Sequence, residues 1–255
     1  MSKSNSNRER REMVEQMRSQ AKAAERRRTL VVVSICVVVA LLIVGAAGYS
    51  IYKGKQDVAA AVSSSATTAG CEPVVEEEAT GAGQHTTGKV LYETAPPAYG
   101  PHNPSADESG LHFYSADDRP DVEVLVHNLE HGWTIVWYDD TIANDAVQLR
   151  ALTDTAATYA SHGNDPQDNV IFAPWTGEDG SGQPIPDGKH IAFTHWSVHQ
   201  PTYDPQFFAT AQQSGQEIPS YGESQYCSTF SGAALDDFTK QFPYDDAPEG
   251  FLWHQ

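Results

Sequence analysis

"VEVLVHNLEHGWTIVWYD", residues 122–139, holds the choice between helix and strand on which the fold of this chain turns. Val122, Val124 and Val126 alternate at period two, and so do Trp133, Ile135 and Trp137, which predicts two strands joined by a short connection. Between them His127, Glu130 and His131 crowd into five residues. Positions four apart in a straight strand are separated by about 13 Å and cannot share an ion. On a helical turn they stack on one face. A joint site therefore needs the chain to bend, and Gly132, which can take a positive φ, is placed to make that bend in a hairpin loop over 128–131.

Working outward, "NDAVQLRALTDTAATYASHG" (144–163) predicts a helix with Asn144 as N-cap, Leu149, Leu152 and Ala156 on one face, and Gly163 as its stop. Short apolar strands are expected over 169–175 and 190–196, on either side of a Gly/Pro-rich loop. Asp204, Pro205 and Gly215 frame a second helix, and "LDDFTKQF" (235–242) predicts a third. The order strand, strand, helix, strand, strand, helix predicts an α+β domain, a small sheet with helices packed on it.

Charge divides the chain unevenly. The net charge is -18, yet the segment up to Arg28 carries nine Lys and Arg against four Glu. The basic tail spans 1–29, and the apolar run that follows it, 30–52, is long enough as a helix to cross a hydrocarbon core of roughly 30 Å. Arg26, Arg27 and Arg28 place the amino terminus in the cytoplasm by the positive-inside rule, so a domain spanning 71–255 is expected outside it. The basic leader and apolar run are both longer than a cleaved signal peptide needs, which favours an uncleaved anchor. Cys36 follows Ile35, which does not suit a lipoprotein, and is expected as an inert membrane-embedded thiol. Small polar residues over 53–70 read as a flexible tether.

Cys71 and Cys227 are the two remaining cysteines, one near each end of the outer domain, and in an oxidising compartment they are most simply a disulfide. No CxxC is present, so thioredoxin-type redox chemistry has no residues to carry it. The strongly acidic balance argues against nucleic-acid binding. There is no G-x-S-x-G, P-loop or dinucleotide fingerprint, and no complete set of nucleophile, base and orienting group.

Two histidines and a carboxylate suit zinc, copper or iron. "HNLEH" also fits the H-x-x-E-H pattern of inverted zinc peptidases, but those carry it within a long helix, and here valine-rich strands are expected to flank it. The proline- and glycine-dense "YETAPPAYGPHNP" (92–104) forms a stiff loop that would present His102 at low entropic cost. The other histidines have weaker claims: His195 and His199 as single extra ligands or backbone-bonded groups, and His85, His112, His162, His190 and His254 as surface residues. "VVEEEAT" and "YDDAPE" read as solvated acidic faces.

"VLYETAPPAYGPH", "VEVLVHNLEHGWTIVWYD" and "APEG" (247–250) together resemble the family known as domain of unknown function 3105, common in actinobacterial membrane proteins. The resemblance covers roughly 70–250, with departures at Tyr99 and Ser197. It implies that His102, His127, Glu130 and His131 are the family's characteristic polar residues. Two function classes follow. One is an outward-facing domain that binds zinc or copper through these residues. The other is a non-enzymatic accessory subunit of a membrane-protein complex, with the histidines bracing the proline loop.

Overall fold

The computed structural model describes residues 2–162, 165–179, 182–199, 206, 210, 214 and 218–250. The chain divides into two compact units, Met1–Lys55 and Gln56–Gln255. The first is made by the leading part of helix α1 (Ser2–Ser63), which is long and apolar enough to cross a membrane. Leu30, Val37, Leu42 and Tyr52 all stand exposed on it.

The flexible tether expected over 53–70 is not what is found. α1 continues to Ser63, and Val58, Ala61 and Val62 pack against the core of the second unit. Alanine and valine at this spacing form a helix once one face has an apolar surface to cover.

The second unit is α+β. Its elements are β1 (Val75–Glu78), α2 (Val122–Glu130), β2 (Thr134–Tyr138), α3 (Asp140–Ala143), α4 (Ala146–Ser161), a short 3₁₀ turn (Pro166–Asp168), β3 (Val170–Pro174), β4 (Ile191–Ser197), β5 (Tyr221–Cys227) and α5 (Gly232–Gln241). The five strands run in the order β1-β5-β4-β2-β3. β2 and β3 are parallel, as a crossover through α3 and α4 requires, and the other pairs are antiparallel. The helix expected over 204–215 lies almost wholly outside the described residues, as do Gly163 and His254.

The sheet is covered on both faces. On one, Val136, Phe172 and Phe193 meet Leu152 and Ala156 of α4, Leu235 and Phe238 of α5 and the end of α1. On the other, Ile135, Trp137, Ile171 and Trp196 meet Val122, Leu125, Val126 and Leu129 of α2. That second contact overturns the strand expected from Val122, Val124 and Val126. The valines at 122, 124 and 126 fit period two, but Leu125 and Leu129 complete a stripe at i, i+3, i+4, i+7, and this stripe is fully buried against the sheet. Burial of the helical stripe decides between two patterns that coexist in the same residues.

Elsewhere β2, β3, β4, α4 and α5 stand where expected to within a few residues. The cap of α4 is Asp145 rather than Asn144, its carboxylate accepting from the Val147 and Gln148 amides at 2.8 and 3.1 Å. Cys71 and Cys227 are joined, closing a loop with a sequence separation of 156. Cys71→Ser is expected to lower stability by about 2–5 kcal/mol, read as a fall in denaturation midpoint that reductant reproduces in the wild type.

Gly132 ends α2 with φ +86°, and a Cβ there would collide with the Tyr244 backbone. Gly132→Ala is expected to destabilise by about 2–4 kcal/mol in urea unfolding, combining left-handed strain with displacement of the 243–250 segment.

Candidate metal site

α2 brings the polar residues together because its buried stripe leaves the adjoining helix face for His127, Glu130 and His131, spaced i, i+3, i+4. Two loops complete the neighbourhood. His102, at the end of the proline loop, pairs with the strand-like 84–86 segment: its amide donates to the Gln84 carbonyl at 3.0 Å and its carbonyl accepts from Thr86 at 2.6 Å. This pairing puts His85 beside it, with ring centroids 5.1 Å apart. The 243–250 segment then crosses the end of α2, where the Glu249 amide donates to the Glu130 carbonyl at 3.0 Å.

The tautomers follow from the partners. His102 Nδ1 lies 2.8 Å from the Gly100 carbonyl and His127 Nδ1 lies 2.6 Å from the Asn103 carbonyl. A carbonyl only accepts, so each Nδ1 carries its proton and each neutral ring keeps its lone pair on Nε2. This is the arrangement in which metal-binding imidazoles are held.

His102 Nε2 and Glu130 Oε2 are 2.9 Å apart, both completely buried. They face one another as a buried ion pair, and neither atom has any other hydrogen-bonding partner. Glu130 Oε1, by contrast, accepts from the Gly83 amide at 2.5 Å. Burial works against both charges. The His102–Glu130 attraction prevails, raising the His102 pKa above its ordinary value and lowering that of Glu130. Burial and the neighbouring rings push His127 down, favouring the neutral ligand form.

His85, His102, His127 and Glu130 present ligand atoms all within 4.8 Å of one another. A tetrahedral zinc ion with bonds of about 2.0–2.2 Å spaces its ligands about 3.4 Å apart, so the set closes around such an ion with small side-chain movements. Three of the four residues expected from sequence, His102, His127 and Glu130, are thus brought together. His131 stands one step away: its Nε2 is 2.9 Å from His127 Nε2 and 3.0 Å from Glu249 Oε2. It forms a second group with Glu130 and Glu249. A cleft of about 620 Å³, lined by Asp107, His127, His131, Trp133 and Glu249 among others, opens beside these groups.

Two participants were not legible as such. His85, expected as a surface residue, is exposed yet contributes to the buried group, and nothing in "GAGQHTTG" (81–88) distinguishes it. Glu249, expected on a solvated face, ion-pairs with His131. Asp246, with the same expectation, is buried and accepts from Ser197 Oγ at 2.9 Å and from the Val198 amide at 3.1 Å.

His195 is fully buried, with Nε2 3.1 Å from the Asp246 carbonyl and Nδ1 3.3 Å from Thr134 Oγ1. Burial lowers its pKa, so charging it is resisted in the fold and free in the unfolded chain near about pH 6.5. Its contribution to stability is present above that pH and declines as the pH falls toward the folded value. His195→Gln is accordingly expected to flatten the loss of urea stability between about pH 6.5 and 5 relative to wild type.

An α+β domain with a buried cluster of imidazoles and a carboxylate under one helix is the class that fold and site define. Residues 84–250 match the family described as Protein of unknown function (DUF3105), and the chain belongs to it. Comparison with curated proteins and with solved structures finds no match.

Proposed function

We propose that this protein is a membrane-anchored, metal-binding protein whose folded domain stands outside the cytoplasm and holds a borderline divalent ion, zinc or copper, on His85, His102, His127 and Glu130. One observation carries the reading. Two buried ligand atoms, His102 Nε2 and Glu130 Oε2, face one another at 2.9 Å with no other partner, while the far nitrogens of His102 and His127 are locked by backbone carbonyls. Bracing the proline loop alone gives no reason for four ligand atoms to converge within 4.8 Å, whereas an ion does.

The setting rests on other features. The exposed apolar surface over 30–52 is too extensive to face water, the arginine cluster before it orients the chain, and a disulfide suits an oxidising compartment. Four protein ligands would make the ion a stabilising one, but the cleft beside His127 and His131 leaves room for a ligand to approach.

The test is a competition titration of the full chain in detergent against a chromophoric zinc chelator. The wild type is expected to withdraw zinc from the chelator, and His102→Ala to lose one equivalent of that capacity. Identical capacity in both proteins sinks the proposal.

A further inference from the structure

A second cluster lies away from α2, on the sheet itself. Glu76 of β1 and Glu223 of β5 are directly opposed partners in an antiparallel pair, an arrangement of like charges that destabilises a sheet unless something offsets it. His199, just beyond β4, reaches both: its Nε2 is 3.3 Å from Glu76 Oε2 and 3.0 Å from Glu223 Oε1. Its ring is stacked on Tyr221 with centroids 4.1 Å apart and planes 9° from parallel, which fixes the direction in which Nε2 points. His199 takes φ +55°, a left-handed conformation uncommon for a residue with a side chain.

Glu223 makes this more than an acidic patch. Its side chain is 1% exposed, and Oε2 is buried without a hydrogen-bond partner. Both Glu223 and His199 line a cavity of about 400 Å³ with Glu76, Asp246, Val74 and Phe242. Burial, reinforced by the Glu76 and Asp246 charges, raises the Glu223 pKa. Among the described residues no lysine or arginine forms an ion pair with Glu76 or Glu223, so the imidazole alone stands between the two carboxylates.

We infer that Glu76, His199 and Glu223 form a second divalent-cation site, in which the ion sits between His199 Nε2 and the two carboxylates that face each other across β1 and β5. One imidazole and two carboxylates make a harder donor set than the three imidazoles and one carboxylate beneath α2. The open cavity leaves coordination positions for water. The site therefore takes manganese as well as zinc, whereas the α2 cluster favours zinc or copper.

The full chain in detergent, stripped with chelator, is dialysed to equilibrium against zinc or manganese and its metal content measured. The wild type is expected to hold about two equivalents of zinc, of which Glu223→Gln removes one and His102→Ala the other. Manganese binding should be retained by His102→Ala and lost by Glu223→Gln. Glu76→Gln, at an exposed position where folding is not at stake, should weaken the second site at least about tenfold. If Glu223→Gln and Glu76→Gln hold as much metal as wild type while His102→Ala loses an equivalent, the second site is overturned and the α2 site stands. Loss in Glu223→Gln without loss in His102→Ala supports the second site and removes the first. Equal content in all four proteins overturns both.

Discussion

Glu130→Ala is expected to cost the metal-free protein about 3–5 kcal/mol, because it strands a fully buried His102 beside a hole where its counter-charge stood. The same change releases the Gly83 amide, which donates to Glu130 Oε1, and so loosens the segment that carries His85. The effect should depend on pH in a defined way. Glu130 has its pKa lowered by the fold, so its contribution is present above the ordinary carboxylate range and is lost as the pH falls through the folded value. His102 has its pKa raised, so its contribution is present below about 6.5 and is lost as the pH rises through its folded value. The gap between wild type and Glu130→Ala in urea unfolding should therefore be widest between these limits and narrow on either side. A gap of under about 1 kcal/mol near pH 6 contradicts the buried pair.

Zinc affinity should respond even more strongly to His102→Ala. Loss of an outer-shell partner alone weakens metal sites by about 10- to 100-fold, and loss of a buried ligand should exceed the upper figure. His131→Ala, one step outside the cluster, should weaken zinc by no more than about tenfold. The chelator competition titration separates the two. Equal losses for both variants would mean that His131, not His85, completes the set.

The contrast between His131 and His85 also shows what the sequence held. The apolar strands were legible because β2, β3 and β4 are covered on both faces, β2 and β3 carrying hydrophobic runs and β4 opening on Ile191, Ala192 and Phe193. β5 is not legible because "YGESQYC" is polar along most of its length, with Glu223 and Ser224 buried within the sheet. The region around α2 is ambiguous in sequence for a different reason. A valine at every second position suits a strand, while leucines at 125 and 129 suit a helix, and only contact with the sheet selects between them. The helix places His127 and Glu130 on one face beside His102, where the expected arrangement needed a bend in a hairpin loop. The helix also removes the objection raised against the H-x-x-E-H pattern from flanking strands. Even so, Glu130 is engaged with His102 and the Gly83 amide. His85 was invisible because its role comes from a single pairing between segments 17 residues apart in sequence, His85 with His102.

X-ray absorption at the zinc edge, on Glu223→Gln full chain loaded with one equivalent in detergent, tests the central claim most directly. The α2 cluster is expected to give a nitrogen/oxygen shell at about 2.0–2.1 Å with outer scattering from about three imidazole rings and no sulfur. A shell without imidazole scattering, or a protein that retains no zinc, would contradict it.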